Sequence, residues 1–486
     1  MTDRQRECIA YPGPQLLVSG PPGAGKTLVL LKRACRLNQL MPHASVLVVT
    51  YNKTLAHYAG DQLRLNGASP NATAVHFHRW AYRQVRDHLG RHPQVIPEPE
   101  RLALLRQLID TSRRMTLTTT QQTRSTSALL ARPLDWWRDE VDWLKGHTLL
   151  TWEQYRDVDR VGRGQGLQAA ARQLVWTVFT GYQQELARRG QVDYRDFALL
   201  LLQAWTPVPE AVRVSHVLID EAQDLRSAEL RVLTHLARQS LTVAADRSQK
   251  IYGSGFAWRD LGFDIQGGGR AKVLPKSYRT TRQVALLAAS LRRHDPLVQP
   301  GDPDYVEGEA PDREGPVPVL VVTRDDQHEA ELVLRLIAYH QAAQPGQTIG
   351  VLARTWETLR RLEPALRTAQ VPYTYLRDEE GTLAAPGVKL TTFHSAKGLE
   401  FGTAILVGLS EGLFPPPLGR TLDVAEGEQE EDLLSIERRL LYVAMTRTRQ
   451  ALYLLHGWHP SRFLAELDPA FYTRTAPELV AAATTR

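Results

Sequence analysis

Cysteine is nearly missing from this chain: 486 residues contain only Cys8 and Cys35. Two such residues make neither a disulfide framework nor a zinc site, so packed thiols in a reducing compartment are expected. Long apolar runs are missing as well. No stretch approaches the roughly 20 residues that cross a bilayer, and Met1-Thr2-Asp3-Arg4-Gln5-Arg6 lacks a secretory core. The expectation is a soluble, cytoplasmic protein with no membrane partner. Internal repeats and low-complexity tracts are lacking too, which leaves ordinary globular domains.

What is present fits that class. Hydrophobic residues make up 43% and charged residues 23%, an ordinary globular balance. The length exceeds one core, so two to four domains are expected. The net charge of +6 suits a partner with a phosphate backbone.

Gly20-Pro21-Pro22-Gly23-Ala24-Gly25-Lys26-Thr27 carries the first chemistry. It follows an apolar strand pattern and precedes a helical one, the context of a phosphate-binding loop. Gly23 and Gly25 let the backbone turn its N–H groups toward phosphate oxygens at a helix N-terminus. Lys26 is placed to reach the β- and γ-phosphates of a nucleoside triphosphate, and the Thr27 hydroxyl to ligate Mg²⁺.

Strand, loop, helix and strand over 16–50 form a βαβ unit and imply a parallel sheet. Residues 84–172 read as an inserted helical block with almost no strand signal. Strands return at 214–220 and 241–245. A second α/β block has expected strands at 317–323, 348–354, 388–392, 403–407 and 451–455. The fold class is therefore α/β, two parallel-sheet domains with a helical insertion in the first.

Four further constellations stand out. Strand 217–219 ends in Asp220-Glu221; a strand tip beside the phosphate loop lets Asp220 hold Mg²⁺ and Glu221 deprotonate an attacking water. The stretch 241–260 holds Gln249, able to sense a γ-phosphate, and Tyr252, Phe256 and Trp258, able to stack on bases. Ser277-Tyr278-Arg279 offers an adenine-stacking ring and a guanidinium for the γ-phosphate. Thr391 to Phe401 gives a hydroxyl-, Lys- and Gly-rich loop suited to backbone phosphates. His394 with Glu400 has no third ligand at usable spacing for a metal. A helix over 437–448 ends near Arg447. The acidic run 426–432 reads as a solvated loop, and no nuclease constellation is evident.

In this order GPPGAGKT, VLIDEAQD, SYRTT, TTFHSAKGLEF and RRLLYVAMTRT resemble superfamily 1 helicases of the UvrD/Rep/PcrA type, over nearly the whole chain. The resemblance implies two RecA-like domains that bind ATP and Mg²⁺ between them, with single-stranded DNA crossing both. It divides the chain into a first RecA-like domain (1–83 and 176–275), a helical accessory subdomain (84–175) and a second RecA-like domain (276–486). It implies that Gln5 reads adenine, Arg33 approaches the nucleotide and Glu400 lies near the ribose. Asp220 takes the metal role, Glu221 the water-activating role and Gln249 the coupling role. Tyr278 stacks on adenine, while Arg279 and Arg447 reach the γ-phosphate. For DNA it implies contacts from Tyr51, Asn52, Lys53, Phe77, His78, Tyr252, Trp258, Thr392, His394 and Ser395.

Three departures bear on function. Gly253-Ser254-Gly255 separates Tyr252 from the aromatic pair, and the first-domain motif is Thr-Tyr-Asn-Lys. Between Tyr375 and Val388, where the family carries a large second accessory subdomain, only a short loop near 377–386 remains. The expected activity is a 3′→5′ single-stranded DNA translocase and helicase acting on single strands or 3′-tailed duplexes. The alternative is a DNA-stimulated ATPase subunit of a repair or phage-defence complex, with a nuclease or repair factor as partner and little unaided unwinding. RNA as substrate, and a phosphate-loop enzyme unrelated to nucleic acid, are further readings.

Overall fold

The structure is a computed structural model that describes residues 1–51, 53–118, 124–158, 160, 167–245, 270–295, 309–376, 387–416 and 426–475, with backbone alone at 53–54, 116–118, 124 and 426–433. Among these residues the strands in chain order are β1 (Gln15–Ser19), β2 (Val46–Thr50), β3 (Ala72–His76), β4 (Gln94–Val95), β5 (Gln191–Val192), β6 (Val214–Ile219), β7 (Ala237–Ala245) and β8 (Ala271–Val273). They continue as β9 (Val319–Val322), β10 (Ile349–Ala353), β11 (Tyr373–Tyr375), β12 (Val388–Thr392), β13 (Phe401–Leu406), β14 (Thr448–His456) and β15 (Thr473–Arg474).

Two parallel sheets result. The first has six strands in the order β3-β2-β6-β7-β1-β8, and the second has seven in the order β11-β12-β10-β13-β14-β9-β15. The short β4–β5 pair forms a third sheet at the base of the helical block. β-branched and aliphatic runs make the central strands because both faces of a parallel sheet are covered by helices. β2 is VLVVT and β10 is IGVLA, and every residue in both is buried. Successive side chains alternate between the two covered faces. Leu17, Val49 and Ile219 enter one core, while Val48 and Leu218 enter another on the opposite side.

The helix Lys26–Leu40 buries Val29, Leu30, Arg33 and Ala34 on its sheet-facing side, the apolar stripe of period 3.6. The helical block is built on Glu98–Thr118 and Ala169–Arg189, with a core of Leu105, Trp137, Trp143, Tyr155, Phe179 and Tyr182. The second helix runs past the boundary expected at 175, because its apolar stripe continues through Leu186. Lys145, wholly buried, fastens this block to the next segment by donating at 2.7 Å to both Asp193 and Asp196.

Several short edge strands were not legible in the sequence: β3, β8, β11 and β15 are five residues or fewer, and two to five residues carry little periodicity. The acidic run 426–432 is no loop. It forms the first turns of the helix Glu426–Met445, where acid near an N-terminus is favoured by the helix dipole. Among the described residues no helix is long and apolar enough to cross a membrane, and no cluster of three or more His, Cys, Asp or Glu could hold a metal.

Burial sets a pH dependence. It pushes His78, His340 and His394 down to about 4; the charge of Arg195 adds at His78, and those of Arg354 and Lys397 at His394. Unfolded, each would bind a proton near pH 6.5. Between these values the unfolded forms of these histidines hold more protons, so their contribution to stability is full above about pH 6.5 and falls as pH drops toward 4, by up to about 1.4 kcal/mol per pH unit and group. In denaturant unfolding at pH 7, 6 and 5, His340→Gln is expected to flatten this slope by about one proton. An unaltered slope would show that His340 is not among the groups responsible.

Candidate nucleotide and nucleic-acid site

The phosphate loop joins β1 to the helix Lys26–Leu40, at the carboxyl edge of the sheet, where open α/β sheets bind ligands. Gly23 and Gly25 have φ of 78° and 85°, the left-handed region that favours glycine. Close approach adds a second reason. A Cβ on Gly23 would overlap the Arg279 Cβ and lie 2.7 Å from Ser277 Oγ; one on Gly25 would lie 2.7 Å from Gln5 Nε2. Lys26 folds over the loop, its Nζ donating to the carbonyls of Gly20 at 2.7 Å and Pro21 at 3.0 Å.

Asp220 stands at the tip of β6, two strands from β1. Thr27 Oγ1 donates to its Oδ2 at 2.7 Å. Two hard oxygens at this separation suit Mg²⁺, which takes few protein ligands and keeps several waters. Burial and the neighbouring Glu221 charge push the Asp220 carboxyl up to about 7, against the Thr27 hydrogen bond. Glu221 moves the other way. Its burial is outweighed by the charges of Lys397, Lys26 and Arg447, which hold it below its ordinary range. Glu221 has φ 50° and ψ 44°, a left-handed conformation that costs a non-glycine residue about 1–2 kcal/mol. The kink leads into a 3₁₀ turn, Ala222–Asp224, and Gln223 Nε2 donates back to Glu221 Oε2.

Groups from the connection after β8 and from the second sheet meet this face. Tyr278 N donates to Gly23 O at 2.9 Å, which lays the Ser277–Arg279 segment against the loop. The Tyr278 ring is half exposed. Arg279 Nε donates to Glu400 Oε1 at 2.7 Å, so these two expected nucleotide residues engage one another. Arg447 lies in the turn before β14, buried, with Nε on Val443 O at 2.9 Å, and its charge reaches Glu221. Lys397, in the loop after β12, forms an ion pair with Asp224. Both residues lay inside recognised motifs, but sequence spacing gave no sign that they would touch.

Two expected nucleotide residues sit underneath the site. Gln5 is buried in the capping box of the first helix, Asp3–Ala10, and Nε2 donates to Ala24 O at 3.0 Å. It braces the loop from below. Arg33 is 2% exposed and donates through Nη1 to the carbonyls of Cys8, Ile9 and Tyr11, and through Nε to Thr242 Oγ1. These bonds clamp the end of the first helix to β7. The structure thus gives Arg33 a bracing position in place of the expected approach to nucleotide.

The expected DNA residues divide likewise. Tyr51, His76 and His78 form one aromatic cluster, with Tyr51–His78 ring centroids 5.9 Å apart. Phe77 is fully buried in the first core, so its ring cannot stack on a base. Its neighbour His78 is buried as well. Tyr194, absent from the sequence-based set, is 56% exposed and packs 5.5 Å from His78. The only signal for it was an aromatic between the charged pairs of Asp193-Tyr194-Arg195-Asp196. Lys53 opens the helix Lys53–Leu65. In the second sheet Thr392 Oγ1 donates to Ser395 Oγ at 3.0 Å and accepts from Ser395 N at 3.1 Å, which sets the turn that carries His394. Asn52, Gln249, Tyr252, Phe256, Trp258 and the short loop near 377–386 lie outside the described residues.

Gly23→Ala tests the close approach of the two segments. It adds strain of about 1–3 kcal/mol and a Cβ where Arg279 packs, so affinity for a fluorescent ATP analogue is expected to fall at least about tenfold. Unchanged affinity in a folded variant would mean that this packing does not shape the site.

Comparison with known proteins agrees with the geometry. The UvrD/REP helicase N-terminal domain matches residues 1–260, and the UvrD-like helicase C-terminal domain matches residues 375–456. ATP-dependent DNA helicase UvrD2 of Mycobacterium tuberculosis is 27% identical over 603 positions, covering 98% of this chain and 82% of that protein. Since this chain has 486 residues, that alignment contains more than a hundred positions with no counterpart here. DNA helicase II of Escherichia coli is 25% identical over 77% of this chain and 51% of its own length. ATP-dependent DNA helicase PcrA of Leuconostoc citreum is 43% identical over 102 residues, 19% of this chain and 12% of that protein. A nucleotide loop faced by two parallel sheets, with helicase domain matches on both, has one reading: the chain belongs to the UvrD/REP helicase family.

Proposed function

We propose that this protein is an ATP-driven motor on single-stranded DNA, moving 3′→5′ and separating strands ahead of it. The observation that carries this reading is the meeting of the two sheets at one nucleotide face. Lys397 on Asp224 joins them there, and Tyr278 N on Gly23 O lays the connection between them against the phosphate loop. A nucleotide in that position bears on both domains, so its binding and loss change how they sit.

ATP enters as substrate over the phosphate loop, with the half-exposed Tyr278 ring stacking on adenine. Lys26 leaves the Gly20 and Pro21 carbonyls for the β- and γ-phosphate oxygens. Thr27 Oγ1 and Asp220 Oδ2 would hold Mg²⁺, which would supply neutralisation of phosphate charge. Glu221, kept ionised by the surrounding cations, accepts the proton of a water whose oxygen attacks the γ-phosphorus. As the new P–O bond forms, the bond to the ADP oxygen breaks. Arg279, released from Glu400, and Arg447 stabilise the charge of the transferred group; such arginines are worth about 10³–10⁵ in rate. Loss of the γ-phosphate removes their partner and frees the second sheet to shift. Tyr51, His78 and Tyr194 on the first domain and the Thr392–Ser395 turn on the second line the strand's path, where each stacked base contributes about 1–3 kcal/mol.

A second reading has its own support. β11 and β12 are adjacent parallel strands, and Tyr375 and Val388 are separated by a connection far shorter than a subdomain. The motor then lacks the family's second accessory subdomain, and a DNA-stimulated ATPase that works within a repair or defence complex follows.

Glu221→Gln keeps the shape and hydrogen bonding of the side chain but not its basicity. ATP binding is expected within about twofold of wild type, and turnover with poly-dT is expected to fall at least about 10²-fold; near-normal turnover would remove Glu221 from its role. For direction, duplexes with a 3′ or a 5′ tail are compared. Unwinding from the 3′ tail alone fits the first reading. Unwinding only from the 5′ tail refutes it, and poly-dT-stimulated hydrolysis without strand separation selects the second.

A further inference from the structure

A separate cavity of about 470 Å³ opens in the second sheet, lined by residues that include Val322, His456, Ser461, Leu464 and Arg474. None of its lining residues belongs to the nucleotide or DNA sets. It sits where β14, β9 and β15 end side by side: His456 pairs with Val322, and Arg474 with Leu320. Carboxyl ends of adjacent parallel strands are where open α/β sheets place ligands, and this volume falls in the range of ligand pockets.

Two polar groups of the lining, Ser461 and Arg474, lack the partner each would need to be fully satisfied. Ser461 is 1% exposed, and among the described residues its Oγ has no hydrogen-bond partner. A buried hydroxyl left unpaired costs about 1–3 kcal/mol, and a ligand acceptor would recover that. Arg474 has no carboxylate partner among the described residues; its Nη2 donates only to the Tyr472 hydroxyl, at 3.2 Å. The other arginine of the lining, Arg462, is already held by Glu411 through Nε at 2.9 Å and Nη2 at 2.6 Å. Burial lowers the pKa of His456, and the charge of Arg474 adds to this. Arg474, engaged by the ring and hydroxyl of Tyr472 but by no carboxylate among the described residues, and the unpaired Ser461 hydroxyl thus share a lining with apolar Leu320, Val322 and Leu464. Trp458, two residues from the lining Pro460, is 70% exposed, and an exposed tryptophan beside a pocket marks a macromolecular contact.

We infer that this cavity captures the carboxyl terminus of a protein partner: the α-carboxylate on Arg474 and Ser461, and an apolar last side chain over Leu320, Val322 and Leu464. Terminal carboxylate capture is a recurrent mode of peptide recognition.

The probes are acetyl-Ala-Leu with a free carboxylate, the same dipeptide as its amide, and 4-methylpentanoate, titrated calorimetrically into the full chain. The free acid is expected to bind, and the amide at least about tenfold more weakly, the usual margin for a lost charge-assisted pair. Arg474→Ala is expected to weaken the free acid by a similar factor. Ser461→Ala should weaken it too while leaving the melting temperature unchanged or higher, since it removes an unpaired buried hydroxyl; a merely structural serine would not give that combination. ATPase activity is the folding control, because neither residue touches the nucleotide site. Equal binding of acid and amide, no effect of Arg474→Ala, or no binding of any probe overturns the inference. Binding of 4-methylpentanoate as tightly as the dipeptide acid overturns the polypeptide occupant and assigns the cavity to a small organic acid.

Discussion

Two carboxylates on adjacent residues at the end of a buried strand are the constraint around which this molecule is organised. Asp220 and Glu221 cannot both carry charge in a desolvated place without cations from elsewhere. The cations that lower Glu221 come from three separate segments: Lys26 from the phosphate loop, and Lys397 and Arg447 from the second sheet. Asp220 instead rises to about 7, as expected for the less compensated member of a like-charged pair. The charge requirement of one strand tip therefore ties together loop, first sheet and second sheet.

Topology makes that meeting possible. In a parallel sheet every strand ends on the same edge, so β1 and β6 present Thr27 and Asp220 together although 193 positions separate them. The second sheet contributes the connection from β12 to β13 and the turn before β14; Phe401 and Thr448, which open β13 and β14, are register partners, so Glu400 and Arg447 stand together at its amino edge. The cavity at β14, β9 and β15 lies at the opposite, carboxyl edge of the second sheet and serves different chemistry.

Bracing beneath the site is as elaborate as the site. Arg33 and Gln5 make hydrogen bonds only to neighbouring protein groups, and a buried guanidinium is stable only when so satisfied. The helical block is fastened by buried ion pairs: Lys145 to Asp193 and Asp196, and Arg195 to Glu229 at 2.8 Å. Charges of this kind add little net stability against apolar substitutes. They do fix the backbone on either side of Tyr194, which is why a large ring stands exposed beside His78.

The phosphate loop, its strand and its helix were legible residue by residue, because glycine placement and apolar periodicity are local properties. Val388–Thr392 has the bounds that the sequence implied. The two-sheet α/β class was legible for the same reason, as was the family through its motif order. Orientation was not. Phe77 and Tyr194 are both aromatics next to polar residues, and only packing decides that one enters the core and the other faces out. Arg33 reads as a nucleotide ligand until the carbonyls of the first helix claim it. The ion pair of Lys397 with Asp224 joins positions 173 apart, a distance over which local pattern carries no information. The sequence by itself determined the chemistry, in residue types at fixed local spacing; the tertiary structure alone decided which of those residues touch, because contact between distant segments depends on how whole sheets and helices pack.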